Sequence, residues 1–259
     1  MFRKAILVLA TMLIISSAGL AQRLIDLTVP GTTLAVPDTT PGGYWISPDG
    51  AWFVQGGART SGTGVFDPFV RLGAKETEQG YNTDYRPVQF DEFTAANFTH
   101  ALLYTAVPIV TYEGVPCREF KLNINERAEA EGRFISLDQL KLYETSDPNL
   151  HGYDPLSVSW PNASKIFDLD EFADNYIKLD ATLGPGIGTG DMSVYVPESK
   201  FTHSVPYLTL YSRFGDKISS DAGPELWGVT TPSTPEPCAI LSMMAGLGGI
   251  VGLALRKRR

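Results

Sequence analysis

Apolar and polar residues alternate in short runs along most of this chain. Between 117 and 124, Phe120, Leu122 and Ile124 share one face of an extended segment, while Glu119, Lys121 and Asn123 share the other. That is the period-2 pattern of a half-buried strand. Residues 137–143 repeat it, with Leu140 and Leu142 set against Lys141 and Tyr143. Further strands are expected at 66–72, 100–105, 108–112, 158–160, 165–169, 176–179, 192–196, 207–214 and 226–229. Gly, Pro and Asp clusters separate them. Residues 44–46 and 51–54 flank Ser47-Pro48-Asp49-Gly50, a turn tetrad that predicts a hairpin. Glu113-Gly114 predicts a second turn.

Helix is invited only at 169–175 and, for a single turn, near 125–132. Residues 76–91 are polar and carry Gly80, Asn82 and Pro87, so a long loop is expected there. Residues 22–40 are rich in Thr, Pro and Gly and are expected to run extended into the sheet. Many short strands punctuated by turns predict an all-β fold, an antiparallel two-sheet sandwich that is jelly-roll-like. A lone barrel is the alternative.

The two ends depart from this pattern. Residues 1–21 carry Arg3-Lys4, an apolar run to Ile15, then small residues up to Ala21. This is the order of a secretory signal peptide, with cleavage expected after Ala21. At the other end, a Thr/Pro linker at 230–237 leads into an uncharged run from Cys238 to Leu255 and then into Arg256-Lys257-Arg258-Arg259. About 18 uncharged residues make roughly 27 Å of helix, close to the thickness of a hydrocarbon core. Basic residues stay on the cytoplasmic side, so everything before the helix is expected outside. The domain reading is therefore 1–21 signal peptide, 22–229 β-sandwich, 230–237 linker, and 238–259 transmembrane helix with a basic tail.

Pro235-Glu236-Pro237, the apolar helix with its Gly-Leu-Gly-Gly and Gly-Leu-Ala-Leu pieces, and Arg256-Lys257-Arg258-Arg259 resemble the PEP-CTERM sorting signal. The resemblance implies that Pro235, Glu236, Pro237 and the four terminal basic residues are read by an exosortase, an integral-membrane enzyme similar to cysteine transpeptidases. Cargo of this family is released or transferred at the cell envelope. Cys238, directly after the motif, departs from the family pattern. Gly64-Val65-Phe66-Asp67-Pro68-Phe69, Glu78-Gln79-Gly80-Tyr81-Asn82-Thr83-Asp84, residues 118–125 and Ser136-Leu137-Asp138-Gln139-Leu140 resemble stretches of secreted PEP-CTERM cargo. That second likeness implies no known activity.

Charge narrows the partners. Six of the 21 Lys and Arg residues and one of the 29 Asp and Glu residues lie in the two ends, which leaves 15 basic and 28 acidic residues between them, a formal charge of −13. Such a body is repelled by nucleic acid and by anionic polymers. Cations, cationic partners and neutral extracellular polysaccharide are compatible with it. Cys117 is the only cysteine before the tail, so no internal disulfide framework exists.

No Gly-x-Ser-x-Gly elbow, His-Glu-x-x-His helix or phosphate-cradling loop occurs, and His100, His151 and His203 are far apart in sequence. The chain is therefore expected not to be an enzyme. Asp67, Glu78, Asn82 and Asp84, with Glu76, gather around one stretch, and loop oxygens of this kind suit calcium. Asp168, Asp170, Glu171 and Asp174 form a second acidic set that lacks the glycine and terminal glutamate of an EF-hand. Tyr44, Trp45, Trp52, Tyr81, Tyr85, Tyr153, Trp160 and Trp227 would stack on sugar rings if they shared an exposed face. These features carry two expectations. The first is an exported, non-catalytic envelope or matrix protein, handled transiently by signal peptidase and exosortase. The second is a calcium-assisted carbohydrate-binding module. A glycan-acting enzyme, with two carboxylates facing across a cleft, is a third and weaker reading.

Overall fold

A computed structural model describes residues 22–29, 42–56, 65–155, 160–184 and 190–231. The expected signal peptide with its Ala21 cleavage point, Pro235-Glu236-Pro237, the apolar run and Arg256 to Arg259 lie outside the described residues. So does most of the strand expected at 158–160; Trp160, its one described residue, is not in a strand.

The described chain forms fourteen strands. The first five are β1 (Gln22–Asp26), β2 (Tyr44–Ile46), β3 (Trp52–Gln55), β4 (Val65–Leu72) and β5 (Glu78–Tyr81). Then come β6 (Leu102–Leu103), β7 (Ile109–Tyr112), β8 (Val115–Asn123), β9 (Phe134–Thr145) and β10 (Ala163–Asp168). The last four are β11 (Asp174–Asp180), β12 (Met192–Pro197), β13 (Tyr207–Phe214) and β14 (Glu225–Thr231). They make two sheets of seven strands. One runs β1-β11-β9-β13-β5, with β10 beside β9 and β6 beside β13; the other runs β2-β3-β12-β8-β14-β4, with β7 beside β8. All pairings are antiparallel except β1 with β11.

The alternation read from the sequence sets the inner faces. Phe120 and Leu122 of β8, Met192, Val194 and Val196 of β12, Leu140 and Leu142 of β9, and Leu208, Leu210 and Phe214 of β13 belong to one buried core. Contacts cross it from sheet to sheet. Gln55 Nε2 donates to the Asp180 carbonyl at 2.7 Å, Trp227 Nε1 donates to Ser212 Oγ at 3.0 Å, and the rings of Phe53 and Phe167 lie 5.9 Å apart. The two sheets therefore form a β-sandwich.

Both expected turns are present. Ser47 N donates to the Ala51 carbonyl across the first hairpin, and Gly50 takes a positive φ of 89°. Glu113 and Gly114 both have positive φ, the geometry of the tight turns that suit strand twist. The turn that leaves β13 makes a sharper demand. Gly215 has φ 84°, and a Cβ there would fall onto the carbonyl of Glu76. Gly215→Ala is expected to lower unfolding free energy by about 2 kcal/mol, read from the urea midpoint, because it combines left-handed backbone with a backbone clash.

Four expectations need correction. Residues 169–173 form a turn instead of a helix and 174–175 already belong to β11: Asp168 Oδ1 accepts from Asp170 N, and Asp170 Oδ1 accepts from Asn175 N. Short acidic side chains here compete with the backbone for its own donors, which favours turns over helix. The polar stretch 76–91 contains β5. Its backbone edge is satisfied by side chains that look like loop chemistry: Asp91 Oδ2 accepts from Gln79 N and Glu92 Oε1 from Tyr81 N. β14 runs through Thr230 and Thr231, assigned by the sequence to the linker, because these residues pair with Phe66 and Val65 of β4. Finally, the polar faces of β8 and β9 are not solvated. Glu119, Lys121 and Lys141 are all buried.

The outer face of the first sheet explains the last point for Lys141. Tyr81, Tyr143, Tyr153, Trp160 and Tyr211 form a second buried cluster there, joined by Leu150 and Phe90. Strands β5, β9 and β13 supply three of these rings, and the loops after β5 and β9 fold the others down on top. Lys141 Nζ lies 3.4 Å from the Tyr153 hydroxyl beneath this cover, and burial pulls its pKa down.

Candidate functional site

A surface cleft of about 330 Å³ opens where β6 meets the start of β13. Leu103, Tyr104 and Thr105 line one side; His203, Ser204, Val205 and Pro206 line the other. β6 is only two residues long, because the chain leaves it through a 3-10 turn at Tyr104–Ala106. Leu103 pairs with Tyr207, and Tyr104 N donates to the Pro206 carbonyl, so the two walls are fixed to each other by backbone bonds.

Behind the wall lies an ionic network drawn from four separate segments. Arg118 of β8 meets Glu198 with both prongs of its fork: Nε to Oε2 at 2.7 Å and Nη2 to Oε1 at 2.9 Å. Its remaining nitrogen, Nη1, donates to the carbonyls of Val107 and Tyr104. The guanidinium also sits 3.9 Å from the Tyr104 ring centroid, a cation–π contact. Tyr104 Oη donates to Glu198 Oε1 at 2.6 Å. Burial works against the Glu198 charge, but the bonds from Arg118 and Tyr104 outweigh it and lower its pKa. Burial and the Glu198 partner together push the Tyr104 phenol up to about 12.

His203 closes the chain of bonds. Its Nδ1 lies 2.7 Å from Tyr104 Oη. The single Tyr104 proton already goes to Glu198, so toward the imidazole Oη is the acceptor. Nε2 lies 3.4 Å from the same Tyr104 Oη and 3.7 Å from Glu198 Oε1. The side chain is 51% exposed, so the ring lies half in solvent. The backbone of His203 is held at φ 58°, a region that a residue with Cβ rarely occupies. The neighbouring residues anchor it there. Glu144 accepts from Thr202 N at 2.9 Å and from Thr202 Oγ1 at 2.6 Å, and Ser204 Oγ lies 2.6 Å from Thr202 Oγ1. With the Thr202 proton on Glu144, Ser204 is the donor of that last bond and keeps its lone pairs for the cleft.

None of these partners except His203 stands out in the sequence as chemistry. Tyr104, Arg118, Glu144 and Glu198 come from distant positions with no spacing motif, and only the folding of β8, β9 and β13 brings them together.

The residues expected to hold calcium are placed as follows. Asp67 is exposed on β4, opposite Val229. Glu78 is buried on β5, accepts from Ala74 N at 3.0 Å, and has its pKa raised to about 8, first by burial and then by the charges of Glu126 and Asp91. Asn82 donates to the Leu208 carbonyl and accepts from Leu210 N, which extends the ladder with β13 after β5 has ended. Asp84 Oδ1 accepts from Ala101 N. Among the described residues no group of three or more His, Cys, Asp or Glu side chains is placed to hold a metal ion. In the second acidic set, Asp168 and Glu171 both pair with Lys165, and Asp168 and Asp170 cap the turn.

Of the aromatic residues that would stack on sugars, Tyr44, Trp45, Tyr81, Tyr153, Trp160 and Trp227 are buried and pack within the protein. Trp52 and Tyr85 are half-buried; Trp52 meets Tyr112 edge-on at 5.8 Å, and Tyr85 stacks on His151 at 3.9 Å. His100 lies outside any strand, its Nδ1 3.0 Å from the Ala96 carbonyl. No protein-family model, curated protein or solved structure matches this chain.

Proposed function

We propose that this chain is an exported envelope or matrix protein, with a non-catalytic, structural or adhesive β-sandwich and a C-terminal tail that serves as a processing address. The observation that carries the reading is the tail: β14 ends at Thr231, and the sequence passes within a few residues into Pro235-Glu236-Pro237, an apolar run and four basic residues. The near end is consistent, since residues 1–21 carry the charged, apolar and small-residue order of a signal peptide. Signal peptidase would remove residues 1–21. The apolar helix would hold the sandwich at the outer face of the inner membrane, with Arg256 to Arg259 inside. An exosortase would then act at the Pro-Glu-Pro motif and leave a mature protein ending near Pro237. The strand order supports a jelly-roll reading of the body, with β4-β14-β8-β12 facing β5-β13-β9-β11.

Expression of a chain tagged within its sandwich, in matched strains with and without an exosortase, tests the processing step. The expected result is a smaller product in the competent strain, with its C-terminus near Pro237 by mass spectrometry. Replacement of Pro235, Glu236 and Pro237 by alanine is expected to leave the larger form in both. Identical products from both strains would overturn the processing step.

A further inference from the structure

We propose that the cleft between Leu103–Thr105 and His203–Pro206 binds a neutral, hydroxyl-rich ligand of the size of one sugar ring, such as a monosaccharide unit of an extracellular polysaccharide. Charge points to the class first. The charges behind the wall are already paired: Arg118 is forked onto Glu198, and its third nitrogen is held by two carbonyls. No Lys or Arg is among the residues that line the cleft, and the −13 body repels anionic polymers.

Hydrogen-bond polarity points to the same class. His203 Nε2 lies 3.4 Å from Tyr104 Oη and 3.7 Å from Glu198 Oε1, so the ring nitrogens belong to the network behind the wall and the half-exposed ring offers the cleft its flat surface. Thr202 Oγ1 donates to Glu144 and accepts from Ser204 Oγ, which leaves the Ser204 lone pairs as acceptors toward the cleft. An acceptor oriented in this way asks for a ligand that brings a donor, and ring hydroxyls supply it without charge. Leu103, Val205 and Pro206 provide the apolar wall that suits the C–H face of such a ring. Leu103 is 47% exposed at the rim, a large apolar side chain left facing water. About 330 Å³ is at the small end of ligand sites, enough for one ring and not for a long oligomer. The strained backbone of His203 is the remaining sign: the fold holds this ring in a costly conformation although the ring contributes little burial.

This proposal gives the adhesive reading a site and a ligand class, and it is tested apart from export. The full chain, purified without glycoside detergents, is titrated with methyl α-D-glucoside and methyl β-D-galactoside and followed by amide shifts in nuclear magnetic resonance. The fully O-methylated glucoside, which keeps the ring but has no hydroxyl donor, is the control. At least one of the two glycosides is expected to move the amides of 103–105 and 203–205, with a dissociation constant on the order of millimolar. The O-methylated ring is expected not to. His203→Asn keeps a residue that tolerates positive φ, and Ser204→Ala removes one acceptor; each is expected to weaken binding about fivefold with an unchanged melting temperature. No shift with either glycoside at tens of millimolar, equal shifts with the O-methylated ring, or unchanged affinity in both variants would each overturn the proposal. Failure here would leave the processing result untouched, and the reverse also holds.

Discussion

Unfolding free energy should be greatest near pH 4 and should fall by several kcal/mol by pH 8. Four carboxyl groups drive this. Burial raises Glu78 to about 8, Asp170 to about 7, and Asp138 and Asp191 to about 6. Glu92, Glu119 and Glu126 are raised for the same first cause. Each of these groups keeps its proton in the fold at a pH where the unfolded chain has released it. The unfolded state then binds fewer protons, so stability declines as pH rises. Their contribution is complete below about pH 4, the ordinary carboxyl range, and is lost as pH passes through 6 to 8. Glu78 alone accounts for about 4 kcal/mol at the upper limit of this reasoning. Glu198, held low by Arg118 and Tyr104, works the other way but only on the acid side of the window.

Urea unfolding at pH 5, 6.5 and 8 measures the slope, and Glu78→Gln should flatten it and raise stability at pH 8. The amide keeps the shape of a protonated carboxyl and the acceptor that meets Ala74 N. A flat profile, or one that climbs toward pH 8, would show that Glu78 ionises freely inside the fold.

Arg118→Ala is the second large effect: a loss of about 3 kcal/mol. The side chain is nearly buried, and its removal leaves the Glu198 carboxylate without its fork and the Val107 and Tyr104 carbonyls without a donor. Glu198 is about one-fifth exposed, so water recovers part of the cost; this places the value at the low end for a broken buried pair. Arg118→Lys should recover little, since one ammonium cannot make both Glu198 bonds and the bonds to the two carbonyls. Glu198→Gln should be milder, about 1 kcal/mol, because the amide oxygen can still accept one of these bonds. A double-mutant cycle isolates the pair. A coupling near zero would mean that the network does not hold the cleft wall rigid, and the orientation of His203 would then need another cause.

The buried Lys141 follows the same logic on the opposite face. Its charge is tolerated beneath the Tyr153 and Tyr211 rings because Asp168 and Asp170 lie close by, yet burial still dominates its shift. Polar residues on the outward positions of β8 and β9 thus belong to the packed interior of an elaborated sandwich, not to its surface.

Local pattern settled much of the secondary structure. β13 spans 207–214, the range read from alternation alone, and β12 and β14 differ from their readings only at the ends. Alternation is a local property: it records which side of a strand meets apolar surface, and nothing distant is needed to see it. The hairpin at Ser47–Ala51 and the turn at Glu113-Gly114 were legible for the same reason, since left-handed backbone calls for particular residues. Strand β5 was not legible, because its edge is completed by Asp91 and Glu92 from eleven or twelve residues away, and in the sequence these resemble solvated loop acids. The outer aromatic cluster hid in the same way. Tyr81, Tyr143 and Tyr211 become neighbours only when β5, β9 and β13 pair, and a cover from two loops turns an exposed face into a second core. The candidate cleft depended most on the fold. Tyr104, Arg118, Glu144, Glu198 and His203 share no spacing; long-range pairing of β6 with β13 and of β8 with β12 places them, and one phenol proton then orders the rest. The sequence by itself determined most of the strands and their inward faces, which are encoded in consecutive residues. The tertiary structure decided which polar groups are buried, which acids keep their protons and which side chains meet at the cleft, because those properties belong to neighbours brought together from far apart in the chain.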